Sequence, residues 1–367
     1  MRKVSFIRFF LLMSVFTFVC VLQSLGKDIR FIYCSDLHYG IKRNFRGKEC
    51  ETYKVVDEML KSFTLLYSST LPSDGGAGAG TVFGEPDFLI CTGDISNRMQ
   101  KGAWTASKSW NQFKKDWIDA LDYPVYVVPG NHDISNAIGY PKKLSPERDD
   151  ASAVGIFNHN MPMYGHSEIE DFNYPENSVR YSFVRDSLRF MFIGMWPDGN
   201  MRMWMDSVMT EDPVSPVIIF THDPVEADAK HYTNPNYPYN INVDDKFENL
   251  LSDTCSVDNI NKLPKANWSH LERFVESHPQ IKAYFHGDCN YNEFYEWKGV
   301  NGTVSLPVFR VDSPMKGEYS SKNENLLSYQ TVCIDTENKI ITVRECLWNK
   351  NGFTSITWGE MKTISYK

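Results

Sequence analysis

The sequence predicts an α/β domain with largely parallel strand pairing, and three observations carry that expectation. Five short apolar runs, rich in β-branched and aromatic residues, each end in turn-forming residues. Between them lie stretches with apolar residues three and four apart. Strand-like and helix-like segments therefore alternate, which is the pattern of βαβ units.

Taken in order, Ile29–Cys34 leads into Ser-Asp-Leu-His, and the run at 87–91 (DFLIC) into Thr-Gly-Asp. The run at 124–128 (PVYVV) leads into Pro-Gly-Asn-His-Asp, 216–220 (PVIIF) into Thr-His-Asp, and 281–285 (IKAYF) into His-Gly-Asp-Cys-Asn. Helical spacing runs over 51–67 (Val55, Val56, Met59, Leu60, Phe63) and over 108–121 (Trp110, Phe113, Trp117, Ile118, Leu121). Further helices are expected at 268–278 and, more briefly, at 201–209. A hairpin is expected over 179–194, turning at Asp186-Ser187. Strands at 294–297, 307–311, 327–334 and 339–344 are expected to complete a second sheet of the same domain, so that 27–367 forms one unit. The stretches 69–84, 145–176 and 223–266 read as loops, and connections beyond about fifteen residues tend to be functional or mobile.

The chain of 367 residues is 42% hydrophobic and 23% charged, enough to build a core and unlike a disordered chain. Its formal charge of −8 argues against a protein built to grip long nucleic acid. No apolar run reaches eighteen residues, so no ordinary membrane span is expected. Arg2, Lys3 and Arg8 precede an apolar stretch at 9–22, and Ser24 and Gly26 supply small residues before Lys27. That is the pattern of a cleaved signal peptide over 1–26, and it predicts a secreted, periplasmic or cell-envelope protein. Cleavage would remove three positive charges and take the formal charge to −11. It would also leave seven cysteines, an odd number, so at least one thiol stays free unless two chains pair. Cys34 and Cys91 lie inside strand-like runs and read as small buried hydrophobes.

In open α/β sheets ligands bind beyond the carboxyl ends of the strands. Five such ends here carry Asp, His or Asn. Singly these are ordinary turn residues; the ordered set of five is a much sharper signal. Imidazole, carboxylate and carboxamide oxygen together suit manganese, iron or zinc. Two such ions a few ångströms apart are the apparatus of a phosphoryl-transfer hydrolase.

Asp36-Leu37-His38, Gly93-Asp94, Gly130-Asn131-His132-Asp133 and Thr221-His222 resemble the first four blocks of the calcineurin-like metallophosphoesterase superfamily. The resemblance implies a four-layer α/β/β/α sandwich, two mixed β-sheets face to face with helices outside. It implies that Asp36 and His38 bind the first metal, that Asp94 bridges, and that Asn131 and His222 bind the second. Asn131 would also face the substrate. His132 would act near the leaving group, as general acid or as donor to the phosphate, and Asp133 would either orient its ring or cap the turn or helix that starts there. The fifth block departs from the family's Gly-His-x-His. Asp288 and Asn290 stand where the two histidines should be, and both still offer oxygen to a metal. The added carboxylate favours manganese or magnesium over zinc. His286 lies one position early, and alternation points it to the other face. Gly93–Arg98 is similar to the Gly-Asp-x-x-Asp-Arg stretch of the serine/threonine phosphatase branch, which makes Arg98 a candidate phosphate contact. Asn97 stands where purple acid phosphatases carry a ligand tyrosine, which argues against that branch.

The expected activity is that of an exported phosphoesterase using two divalent ions, manganese foremost, with iron and zinc as the others. It would hydrolyse a small phosphomonoester or phosphodiester by attack of a metal-bridging hydroxide. The rival is a degenerate family member that binds a phosphorylated ligand or partner without turnover, for which the Asp288 and Asn290 replacements speak.

Overall fold

A computed structural model describes residues 28–235, 248–255, 263–350 and 354–367. The expected leader at 1–26 and parts of the 223–266 stretch lie outside the described residues. In chain order the strands are β1 (Ile29–Cys34), β2 (Lys42–Phe45), β3 (Lys48–Glu51), β4 (Phe88–Cys91), β5 (Val125–Val127), β6 (Arg180–Arg185), β7 (Leu188–Ile193) and β8 (Val217–Phe220). They continue with β9 (Tyr232–Thr233), β10 (Leu251–Thr254), β11 (Ile281–His286), β12 (Glu293–Trp297), β13 (Leu306–Arg310), β14 (Ser328–Asp335), β15 (Ile340–Leu347) and β16 (Thr357–Ser365). The helices are α1 (Thr52–Ser68), α2 (Ala106–Phe113), α3 (Asn131–Ile138), α4 (Ala151–Asn160), α5 (Gly199–Glu211) and α6 (Lys265–Ser277).

Two six-stranded mixed sheets result, ordered β16-β15-β14-β1-β4-β5 and β12-β13-β11-β8-β7-β6. β1, β4 and β5 run parallel, as do β7, β8, β11 and β13. The sheets face each other across an aromatic layer. Phe31 meets Phe220 and Phe190 at 5.9 and 6.0 Å, Tyr33 meets Phe285 at 5.2 Å, and Phe88 meets Phe190 at 5.4 Å. Alternation along the strands explains the second layer. Phe190 and Phe192 point to this interior, whereas Met191 and Ile193 point outward, where Met201, Met205 and Met209 of α5 join their cluster. Trp268, Leu271 and Val275 of α6 belong to that same outer cluster. On the opposite side α1 buries Val55, Val56, Met59 and Phe63, and Phe63 stacks edge-on against Tyr329 of β14 at 5.0 Å. This is the expected α/β sandwich.

Several details differ from the sequence expectation. Of the strands after 291, only β12 and β13 join the second sheet. β14, β15 and β16 extend the first, with β14 antiparallel to β1. β14 is buried along nearly its whole length, and it closes an edge of β1 that would otherwise be left open. The expected helix at 108–121 is shorter, because α2 gives way to a π-helical turn, Lys114–Ile118. The expected loop at 145–176 contains α4, whose Ala153, Ile156 and Phe157 follow helical spacing and are buried. The hairpin of β6 and β7 turns as expected at Asp186 and Ser187, both with positive φ. Cys34 and Cys91 are buried, and all seven described cysteines are free thiols.

The 69–84 loop is fastened rather than loose. The guanidinium of buried Arg344 on β15 donates from Nε and Nη2 to the two carboxylate oxygens of Asp74, both at 2.7 Å, and from Nη1 to Ala77 O at 3.0 Å. Replacing Asp74 by Ala would leave a buried cation unpaired. We expect Asp74→Ala to lower unfolding free energy by about 3 kcal/mol in urea titrations. A loss under about 0.5 kcal/mol, the range of ordinary surface changes, would show that the loop is held by other means.

Candidate metal centre

The cluster forms where the carboxyl ends of β1, β4, β5, β8 and β11 meet at one edge of the paired sheets. Glycine makes the approach possible at two points. A β-carbon on Gly130 would overlap the backbone and carboxylate of Asp94 and crowd His222, and one on Gly287 would overlap Ser35 and the carboxylate of Asp36. Asp36, His38, Asp94, Asp288 and Asn290 all adopt positive φ, between 46° and 62°. Backbone strain of this kind persists only where the surroundings enforce it, and it gathers at functional sites.

The side chains converge. His38 Nε2 lies 3.7 Å from both Asp36 Oδ1 and Asp94 Oδ2. His222 Nε2 lies 3.5 Å from Asp94 Oδ1 and 3.7 Å from Asp288 Oδ1. Two donor atoms bound to one ion at about 2.1 Å stand about 3–4 Å apart, so these spacings suit a shared cation. Asp36 Oδ1, His38 Nε2, Asn131 Oδ1, His222 Nε2 and Asn290 Oδ1 are buried and have no hydrogen-bond partner. Buried polar atoms are rarely left so. His222 Nδ1 donates to Thr92 O at 2.8 Å, which leaves Nε2 as the atom that faces the carboxylates. The residues present therefore fit two ions. Asp36, His38 and Asn290 would hold one, Asn131, His222 and Asp288 the other, with Asp94 between them. The departures at Asp288 and Asn290 keep their oxygens in the cluster, and the amide of Asp288 donates to Asp36 Oδ2 at 3.0 Å.

The electrostatics agree. Burial works against a charged His222, yet Asp94, Asp36 and Asp288 outweigh it and push the imidazole up to about 10. Burial raises the carboxyls of Asp94 and Asp36, and it holds His38 and His132 well below the usual histidine range. His286 faces away, as expected. Its Nδ1 donates to Gly287 O at 2.8 Å, its Nε2 meets Tyr295 Oη at 3.2 Å, and burial takes it down to about 3.

Of its two open roles Asp133 takes the capping one and does not orient His132. Its carboxylate accepts from the amides of Gly130, Ile95 and Ser96 at 3.0–3.1 Å and from Ser96 Oγ at 2.7 Å, so it caps α3 and ties it to the loop after β4. Arg98 does not present an open guanidinium to substrate, because the buried carboxylate of Glu248 pairs with it. It is the Arg98 amide that serves the site, donating to His132 Nδ1 at 2.8 Å.

Sequence reasoning missed a row of residues behind Asn131. His231 Nδ1 donates to Asp223 Oδ2 at 2.9 Å, and His231 Nε2 faces Asn131 Nδ2 at 3.4 Å. With Nδ1 protonated, Nε2 accepts from the amide nitrogen, which turns Asn131 Oδ1 towards the cluster. Asp223 directly follows a ligand histidine, and that adjacency was the available signal. His231 and Glu248 arrive on the 223–266 stretch, which forms the short β9–β10 pair instead of remaining wholly a loop. Lys316 was missed as well. Its ammonium stands 3.4 Å from His132 Nε2, and burial, opposed by Asp94 and Asp36, brings it down to about 8.

Comparison with known proteins follows the same line. The family model of the calcineurin-like phosphoesterases matches residues 29–288. A probable glycerophosphodiester phosphodiesterase GpdQ from Arcobacter nitrofigilis is 24% identical over 192 residues, 51% of this chain and 61% of that protein. The match thus spans about three fifths of that relative's length. A dimetal phosphatase from Danio rerio (LOC 393393) superposes with a TM-score of 0.52 at 11% identity, covering 92% of this chain and 99% of that one. Purple acid phosphatase PPD1 from seeds of yellow lupin (Lupinus luteus) gives 0.50 at 9% identity, covering 92% and 54%. At these identities the structural likeness is one of fold.

Two outcomes are expected of metal titrations. The protein should bind about two divalent ions per chain by elemental analysis, Asn290→Ala about one, and Asp94→Asn should lose both at micromolar metal. Full retention by Asp94→Asn would contradict a bridging position. His231→Gln weakens one of the two ions by about 10–100-fold and spares the other. Equal affinities in the variant and the parent would mean that Asn131 is oriented without His231.

Proposed function

The chain belongs to the calcineurin-like phosphoesterase family, and on that footing we propose that it is an exported, manganese-dependent hydrolase of small phosphate esters. The observation that carries this reading is the set of buried, partnerless donor atoms of Asp36, His38, Asn131, His222 and Asn290, which converge with the carboxylates of Asp94 and Asp288. Taken together, these five oxygen-bearing side chains and two imidazoles favour manganese. The replaced fifth block still delivers its oxygens to this arrangement.

Two divalent ions, when bound, would polarise a phosphoryl group, offset charge building on its oxygens and acidify a water. The chain's own residues do the rest. Asp94 accepts the amide of His132 at 2.8 Å, which fixes that side chain beside the cluster. His132 Nδ1 already accepts the Arg98 amide, so the single proton of the neutral ring sits on Nε2, towards the mouth of the site. Giving up that proton would leave an imidazolate. Of the two roles open from sequence, the geometry therefore supports hydrogen-bond donation to the phosphoryl or leaving oxygen over general acid catalysis. Export rests on the leader pattern at 1–26, and among the described residues no helix is long and apolar enough to cross a membrane.

The purified protein should hydrolyse an aryl phosphodiester or an aryl phosphomonoester with added Mn2+. His132→Ala should lower kcat by about 10²–10⁴-fold with both ions retained. Absence of turnover on either ester by folded, Mn2+-loaded protein would overturn the reading, and chelation that leaves the rate unchanged would do the same.

A further inference from the structure

Beside the cluster His132, Arg98, Asp288, Asn290 and Lys316 are partly exposed and mark its mouth, whereas Asp36, His38, Asp94 and His222 are buried. Arg98 is neutralised by Glu248. Lys316 has no carboxylate at ion-pair distance among the described residues, and its nearest recorded side-chain polar partner is His132 Nε2 at 3.4 Å. That contact is unusual. The Arg98 amide forces His132 Nδ1 to accept, so Nε2–H is a donor, and an ammonium has only donors. Two donors thus face each other with no acceptor between them. An anionic oxygen entering the mouth would satisfy both.

The loop that carries Lys316 is set in register with the metal-ligand turns. Ser313 Oγ donates to Asp36 O at 2.8 Å and accepts the amides of Met315 and Lys316 at 3.3 and 2.9 Å. The Glu318 amide donates to Asn290 O at 2.7 Å. Arg43 grips Pro314 O and Ser320 O at 2.5 and 2.9 Å. Lys316 is therefore placed relative to Asp36 and Asn290 by short, mostly buried bonds. There is also a charge argument. Asp288 at a histidine position adds one negative charge to the site, and Lys316 restores one positive charge beside it.

We infer that Lys316 is the phosphoryl-binding cation of this enzyme. With His132 Nε2–H it grips a non-bridging oxygen of the substrate, the part that the sequence resemblance assigned to Arg98. The inference rests on the phosphoesterase reading and deepens it.

The test uses Lys316→Gln and Lys316→Arg in the full protein loaded with Mn2+, with inorganic phosphate as the probe in calorimetric titration. Phosphate affinity should fall about 10–100-fold in Lys316→Gln, as expected for loss of a charge-assisted bond, and stay within about threefold in Lys316→Arg. Bound Mn2+ should be unchanged in both, and kcat/KM on the ester should fall in parallel with phosphate affinity. Unchanged phosphate affinity in Lys316→Gln overturns the inference, as does a loss of phosphate affinity that merely follows loss of Mn2+. If the parent protein binds phosphate through Lys316 but hydrolyses no ester, the phosphoesterase reading fails and the assignment of Lys316 as an anion-binding cation stands. If esters are hydrolysed equally by parent and Lys316→Gln, the reverse holds.

Discussion

The carboxylate of Asp94 is the point on which the rest of the site depends. It is buried, it follows Gly93 in a left-handed conformation, and it lies within 3.5–3.7 Å of the imidazoles of His38, His132 and His222. A carboxylate in that position is unfavourable on its own, because burial penalises its charge. It is sustained by what surrounds it: the His132 amide on one oxygen and imidazoles on both sides. The same arrangement makes it the natural bridge between two cations. Asp36 and His38 reach it from β1, Asn131 and His132 from the start of α3, and His222 from the end of β8. Each of those loops is held close by a glycine or by a strained backbone turn.

Such strain needs a rigid support. Five residues of the cluster hold a left-handed backbone, at a cost of the order of 1 kcal/mol each. The support is the aromatic layer between the two sheets, where Phe31, Tyr33, Phe88, Phe190, Phe220 and Phe285 interlock. Close-packed interiors resist small displacements, so the strand ends that emerge from this layer keep their spacing. Asp133 carries the same rigidity outward by joining the first turn of α3 to the loop after β4.

The departures from the family pattern are coordinated. Replacing a histidine by Asp288 makes the cluster more acidic, and the cations around it are distributed accordingly. Arg98, placed by its motif to meet phosphate, is drawn to Glu248. Lys316 occupies the mouth from a different loop. His231, locked by Asp223, steadies Asn131 from behind.

The alternation of short apolar strands with helical spacing determined the α/β class, and the order of the Asp, His and Asn blocks at the strand ends determined the candidate ligand set. Both are local: a strand and the residues that follow it are contiguous, so their chemistry can be read in a single window. Even a misreading had a local signal. Ala153, Ile156 and Phe157 mark α4 by their helical spacing. What only the tertiary structure decided is which side chain meets which across long separations. Glu248 claims Arg98 from 150 positions away, and Lys316 reaches His132 from 184. β14 to β16 join the first sheet because the open edge of β1 lies there. The roles of Asp133, Arg98 and Lys316 depend on those distant partners, since a charged group acts on substrate only when no nearer opposite charge has taken it.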